Sequence, residues 1–180
     1  AWCTILNGLS LPTMPEGLIE RMLDREGITG AKRELLLGRY QERRRQLREM
    51  LAQGSVQEIL CLPNPEAVQS GSVKLNLGAE MLEASVSYTP GEYAEHIAAI
   101  RELVNGEKNY HLTLLPQVPF RELQVFTLKD AVAVLRCQEP YTAFVFKNEI
   151  LTRSIFSYCD SLIEQFAADR YTTMQALSNV

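Results

Sequence analysis

Four apolar segments, residues 110–115, 123–128, 131–137 and 142–146, follow one another with connections too short to hold helical crossovers. Parallel neighbours need a connection of a dozen residues or more, so short links restrict these strands to antiparallel pairing. Lys129 and Asp130 fit a two-residue hairpin between the second and third segments, and residues 138–141 fit a turn before the fourth.

Helices flank this strand run. Thr89, Pro90 and Glu92 combine an N-cap hydroxyl, a proline at the first helical position and a glutamate three residues after the cap. The helix they start should reach Val104 and bury Tyr93, Ile97, Ile100 and Val104. Asn148 caps a second helix over 149–168, with Leu151, Ile155, Tyr158, Leu162 and Phe166 inward, and a short helical tail is expected over 171–177. Earlier in the chain, residues 56–62 read as a strand ended by Pro63 and Pro65. Val73, Leu75 and Leu77 alternate as a half-buried strand would, and 84–88 offers another short one. The expected fold is α+β, with one mixed, largely antiparallel sheet and helices packed on it.

Residues 1–54 read as a helical arm ahead of this 55–180 domain. Trp2, Ile5, Leu6 and Leu9 give a short helical pattern. Pro15 opens a helix to Arg25 that buries Leu18, Ile19, Met22 and Leu23, and Gly27 stops it. Thr29 then caps a long basic helix over 31–53, which Gly54 ends. Its apolar seam, Leu36, Tyr40, Leu47 and Met50 or Leu51, is interrupted by Arg43 and Arg44. So narrow a stripe predicts a helix lying across a surface or against a symmetry mate, with Leu36, Tyr40, Leu47 and Leu51 as a homodimer seam.

Charge limits the partners. The basic helix carries seven cations against three carboxylates, a local +4 that leaves −8 on the rest of a chain whose net charge is −4. An acidic body is a poor match for phosphates, so nucleic acid is not an expected partner of the α/β domain. Cys3, Cys61, Cys137 and Cys159 stand far apart, which argues against a zinc module or a disulfide scaffold, and no cofactor is implied. No apolar run approaches the ~20 residues needed to span a bilayer. The expectation is a cytoplasmic protein with no membrane partner.

The two histidines are the first candidates for acid–base chemistry. His96 lies a helical turn after Tyr93, at the edge of a buried face, which suits a structural or surface role. His111 and Thr113 share one face of the 110–115 strand and are the candidate lining of a ligand pocket. Strand, helix and meander also occur in phospholipase-D-like domains, whose chemistry needs a lysine two positions after a histidine. Here Thr113 follows His111 and Ala98 follows His96, so that pattern is absent. Without a glycine-rich phosphate loop, a nucleophile elbow or a metal-spaced pair, a non-enzymatic chain is expected. Glu92 with Glu95, and Glu80 with Glu83, read as solvated charges.

Five stretches together, residues 40–51 (YQERRR and then spaced leucines), 58–63 (EILCLP), 88–96 (YTPGEYAEH), 109–115 (NYHLTLL) and 144–148 with the closing helix, resemble the C-terminal domains of Cro-type helix-turn-helix regulators of the XRE family. The resemblance implies an effector and dimerisation domain that responds to a small molecule or protein. It implies that DNA is contacted only through a module outside this chain, since the roughly 55–65 residues such a module occupies are not found here. A divergent phosphodiester-processing enzyme using His111 and an acidic protein-interaction module are the alternatives.

Overall fold

The computed structural model describes residues 2–75, 86–117, 119–120, 122–128, 130–136 and 142–179. Six strands, β1 (Trp2–Asn7), β2 (Val56–Cys61), β3 (Tyr110–Leu115), β4 (Leu123–Leu128), β5 (Ala131–Arg136) and β6 (Thr142–Phe146), form one sheet in the order β3-β2-β1-β4-β5-β6. β1, β2 and β3 run parallel, whereas β1–β4, β4–β5 and β5–β6 are antiparallel. Leu128 pairs with Ala131 in the antiparallel register expected of a hairpin there, while Lys129 itself lies outside the described residues. The mixed sheet with helices packed on it is the architecture expected from the short connections. Residues 137–141, including the expected second turn, lie outside the described residues.

The N-terminal expectation needs correction. Residues 2–7 form a strand in the middle of the sheet, hydrogen-bonded on both sides, where a helical pattern was expected. Cys3 and Ile5 face one layer while Leu6 faces the other, and all three are buried. A strand covered on both faces reads as a continuous apolar run, and its periodicity cannot be told from that of a short buried helix. A boundary at residue 54 would separate β1 from β2, so residues 1–54 are no detachable arm.

Two helix pairs make the crossovers. α1 (Glu16–Arg25) and α2 (Gly30–Gln53) lead from β1 to β2, and α3 (Pro65–Gln69) and α4 (Pro90–Gly106) lead from β2 to β3. Right-handed crossovers stepping in the same direction put both pairs on one face. Leu6, Leu60, Val56, Tyr110 and Leu112 meet Leu18, Met22, Leu36, Tyr93 and Ile100 there in one apolar cluster. A second cluster on the opposite face joins Cys3, Ile5, Ile59, Val125 and Val132 to Cys159 and Leu162 of α5 (Glu149–Phe166). The closing helix α6 (Arg170–Ser178) returns to pack on α4.

Local signals explain the helix ends. Thr89 and Glu92 complete a capping box on α4, Asn148 accepts from the Leu151 N–H on α5, and Gly27 and Gly30 bracket the α1–α2 turn with positive φ. Ahead of α4, Leu75 N–H donates to Val86 O at 2.7 Å and Tyr88 N–H to Val73 O at 2.8 Å. These bonds realise the ends of the two short strands expected there, while residues 76–85 lie outside the described residues.

The α2 seam also needs correction. Leu36, Tyr40 and Leu47 are 2%, 1% and 5% exposed within this chain's own core, and partly buried Leu51 packs against the same cluster. The interruption in the seam is bridged. The Tyr40 hydroxyl donates to Met14 O at 2.8 Å and accepts from Arg44 at 2.8 Å, and the Arg44 guanidinium lies over the Tyr40 ring at 5.9 Å. An arginine that shields a buried aromatic ring substitutes for the missing apolar residue.

Candidate functional site

Beneath the α1–α4 layer a chain of polar groups crosses the apolar core. In β2, alternation puts Val56, Glu58 and Leu60 on the same inward face, which places a carboxylate between two aliphatic residues. Glu58 is 3% exposed, and its carboxyl accepts the Tyr110 hydroxyl at 2.5 Å and hydrogen-bonds Ser10. Ser10 and Thr13 sit in the turn after β1, with Ser10 Oγ 3.3 Å from Thr13 Oγ1 and Thr13 Oγ1 donating to Ser10 O at 2.7 Å. Thr13 Oγ1 is also 2.9 Å from His96 Nε2 on α4, and His96 Nδ1 is 2.8 Å from the Tyr88 hydroxyl.

Counting protons assigns the donors. Thr13 gives its single proton to Ser10 O, so its oxygen must accept from His96 Nε2–H. Nδ1 then accepts from the Tyr88 hydroxyl, which fixes a neutral imidazole. Burial agrees, pushing His96 down to about 3. At the other end burial raises the Glu58 carboxyl, and the hydrogen bonds from Tyr110 and Ser10 offset only part of that effect. Ser10 Oγ thus stands between the Glu58 carboxyl and Thr13 and links the acid to the His96 end of the chain. The sequence offered one signal for this chain, an acid on the inward face of an apolar strand. Ser10 and Thr13 carried none, because their partners Glu58 and His96 lie 48 and 83 positions away in the chain.

The candidate pocket residues are separated by their burial. His111 and Thr113 share the α5-side face of edge strand β3, opposite Gln57 and Ile59. Thr113 is 3% exposed against the α5 layer, whereas His111 opens to solvent. Glu92 holds the capping box and an ion pair to Arg25, and Glu95 pairs with Arg21. Among the described residues no group of three or more His, Cys, Asp and Glu side chains is placed to hold a metal ion. No described helix is long and apolar enough to cross a membrane.

The outer edge of the sheet differs from the rest of the surface. Among the described residues β6 pairs with β5 alone, and from Ala143 on it is exposed: Phe144 is 51%, Val145 62% and Phe146 37% exposed. The Phe144 and Phe146 rings stack at 6.2 Å on the α5 side, and Ile150, in the first turn of α5, is 79% exposed. Edge strands of single chains are ordinarily guarded by charges, proline or a bulge. The five residues of β6 include no charge and no proline.

Comparison of the chain with protein-family models, with curated proteins and with solved structures gives no match.

Proposed function

We propose that this chain is a non-catalytic effector and dimerisation domain of a transcriptional regulator, acting in the cytoplasm, with DNA read by a module outside residues 1–180. The observation that carries the reading is the exposed apolar strand β6 at the sheet edge, uncovered among the described residues. An antiparallel β6–β6 pairing across a two-fold axis is self-complementary, joins two sheets into one, and covers Phe144 and Val145 in both copies. Dimerisation thereby moves from α2, whose seam is occupied by the chain's own core, to the far side of the sheet.

The sealed polar chain supports the non-catalytic part. Glu58 and His96, whose protonation is displaced by burial, are consumed by internal hydrogen bonds and shut away from any substrate. A network of this kind specifies packing and fixes the turn after β1 against α4. The phrases that resemble the regulator family contribute Glu58, Tyr88, His96 and Tyr110 to it. Amide hydrogen exchange over a concentration series tests the pairing. Protection of β6 amides should rise with protein concentration while protection of β3 amides stays constant. Concentration-independent exchange on β6 would remove the proposed interface.

A further inference from the structure

We infer that the cleft between α4 and α6 is a binding site for a small organic anion, with Arg101 as its charge anchor. The cleft has a volume of about 480 Å³ and is lined by Arg101, Tyr171, Met174, Gln175, Ser178 and Asn179. That volume lies within the range of small-molecule pockets and exceeds what an inorganic anion fills. The site stands whether or not the chain pairs through β6.

Arg101 is half-buried, and its Nε is closed to solvent with no hydrogen-bond acceptor among the described residues. Arg21, Arg25, Arg33, Arg45 and Arg136, by contrast, are each held by a carboxylate. Arg101 lines the cleft without a carboxylate partner among the described residues, so an incoming anion meets an unneutralised guanidinium there. The carbonyl end of α6 borders the cleft and attracts the cation, yet no carbonyl takes the Nε–H. A guanidinium fork suits the paired oxygens of a carboxylate or phosphate.

The walls define the rest of the ligand. Met174 is partly buried against the main core, and Tyr171 is 72% exposed at the rim, offering an apolar floor and a ring face. Gln175 Nε2 donates to the Tyr171 hydroxyl at 2.8 Å, which holds the rim in place and leaves the second amide hydrogen for the ligand. The helix that carries this rim is itself anchored: Asp169 caps α6 through the Thr172 N–H at 2.7 Å, and Arg170 donates to Asn105 O at 3.3 Å on α4. The recognised chemistry is an anionic head on a compact apolar body.

Benzoate, phenyl phosphate, inorganic phosphate and the neutral benzyl alcohol serve as probes, titrated into the full chain and followed by amide and arginine Nε–H resonances. Benzoate or phenyl phosphate should give saturable shifts over residues 171–179 and at Arg101 Nε–H, and whichever binds more tightly identifies the head group. Benzyl alcohol should not saturate, and inorganic phosphate should bind at least about tenfold more weakly than phenyl phosphate. Arg101→Gln should weaken binding about tenfold or more, while Arg153→Gln, on the opposite layer, leaves it unchanged. The wild-type Arg101 Nε–H signal keeps the test valid if Arg101→Gln fails to fold. Absence of saturation by both organic anions, or undiminished affinity in folded Arg101→Gln, overturns the inference.

Discussion

Replacing His96 with glutamine should change how stability depends on pH more than it changes any surface property. In the fold His96 is held neutral, pushed down to about 3, whereas an unfolded histidine titrates at its ordinary value of 6.5. Between these two values the unfolded chain binds a proton that the fold refuses. Stability therefore falls as pH drops below 6.5, by about 1.4 kcal/mol per unit for this group, and levels off only near pH 3. From pH 7.5 to pH 4.5 the loss is about 2–3 kcal/mol, a large share of the 5–15 kcal/mol typical of a domain. Glu58 works in the opposite direction. Its raised value means that the fold keeps a proton the unfolded carboxyl releases, so its contribution is complete below 4.5 and is lost as pH rises through the folded value.

The two groups oppose each other in mildly acidic solution, so the decisive quantity is the difference between chains. Urea midpoints measured at intervals from pH 7.5 to 4.5 should converge for wild type and His96→Gln as the pH falls, because the variant lacks the histidine penalty. Glu58→Gln should instead show a steeper acid loss than wild type, since the opposing carboxyl is gone. Parallel wild-type and His96→Gln profiles would refute the sealed network, because they require a solvated imidazole.

Leu47→Ala should cost about 2–5 kcal/mol in urea unfolding, as expected for a core leucine, and leave association unchanged. Tyr40→Phe should lose about 1 kcal/mol, because Met14 O loses its donor and Arg44 its acceptor. Thr89→Ala should destabilise by about 1 kcal/mol through loss of the α4 cap, with Thr89→Ser recovering most of it in the same assay.

Much of the fold was legible because local rules acted alone. Thr89, Pro90 and Glu92 gave the start of α4, Asn148 the start of α5, and the two-residue link at Lys129 and Asp130 the antiparallel β4–β5 pair. β1 was missed because burial on both faces erases the alternation that marks a strand. The α2 seam misled for a different reason. Spacing shows that Leu36, Tyr40 and Leu47 share a face, but it does not reveal whether the same chain or another covers that face. Arg44 seemed to break the stripe, and only its position over the Tyr40 ring shows that it completes it.

The candidate site followed the same division. His111 and Thr113 do share a strand face, as alternation required, yet edge position and the α5 layer leave one exposed and the other enclosed. His96 was legible only as an edge residue of its helix, structural or at the surface, and the structure buries it fully. Its partners were not legible, because Ser10, Thr13 and Glu58 reach it only through the stacking of α4 over β1 and β2. Arg101 carried no signal in sequence, since nothing local distinguishes it from the arginines that find carboxylates.

Sedimentation equilibrium at micromolar concentration tests the dimerisation claim most directly, on wild type, Val145→Lys and Leu35→Lys. Val145 is 62% exposed on β6 and Leu35 53% exposed on α2, so both substitutions fall on the surface and separate the two modes of association. The account predicts a two-chain mass for wild type and Leu35→Lys and a one-chain mass for Val145→Lys. A one-chain mass for wild type, or an undisturbed dimer in Val145→Lys, would contradict it.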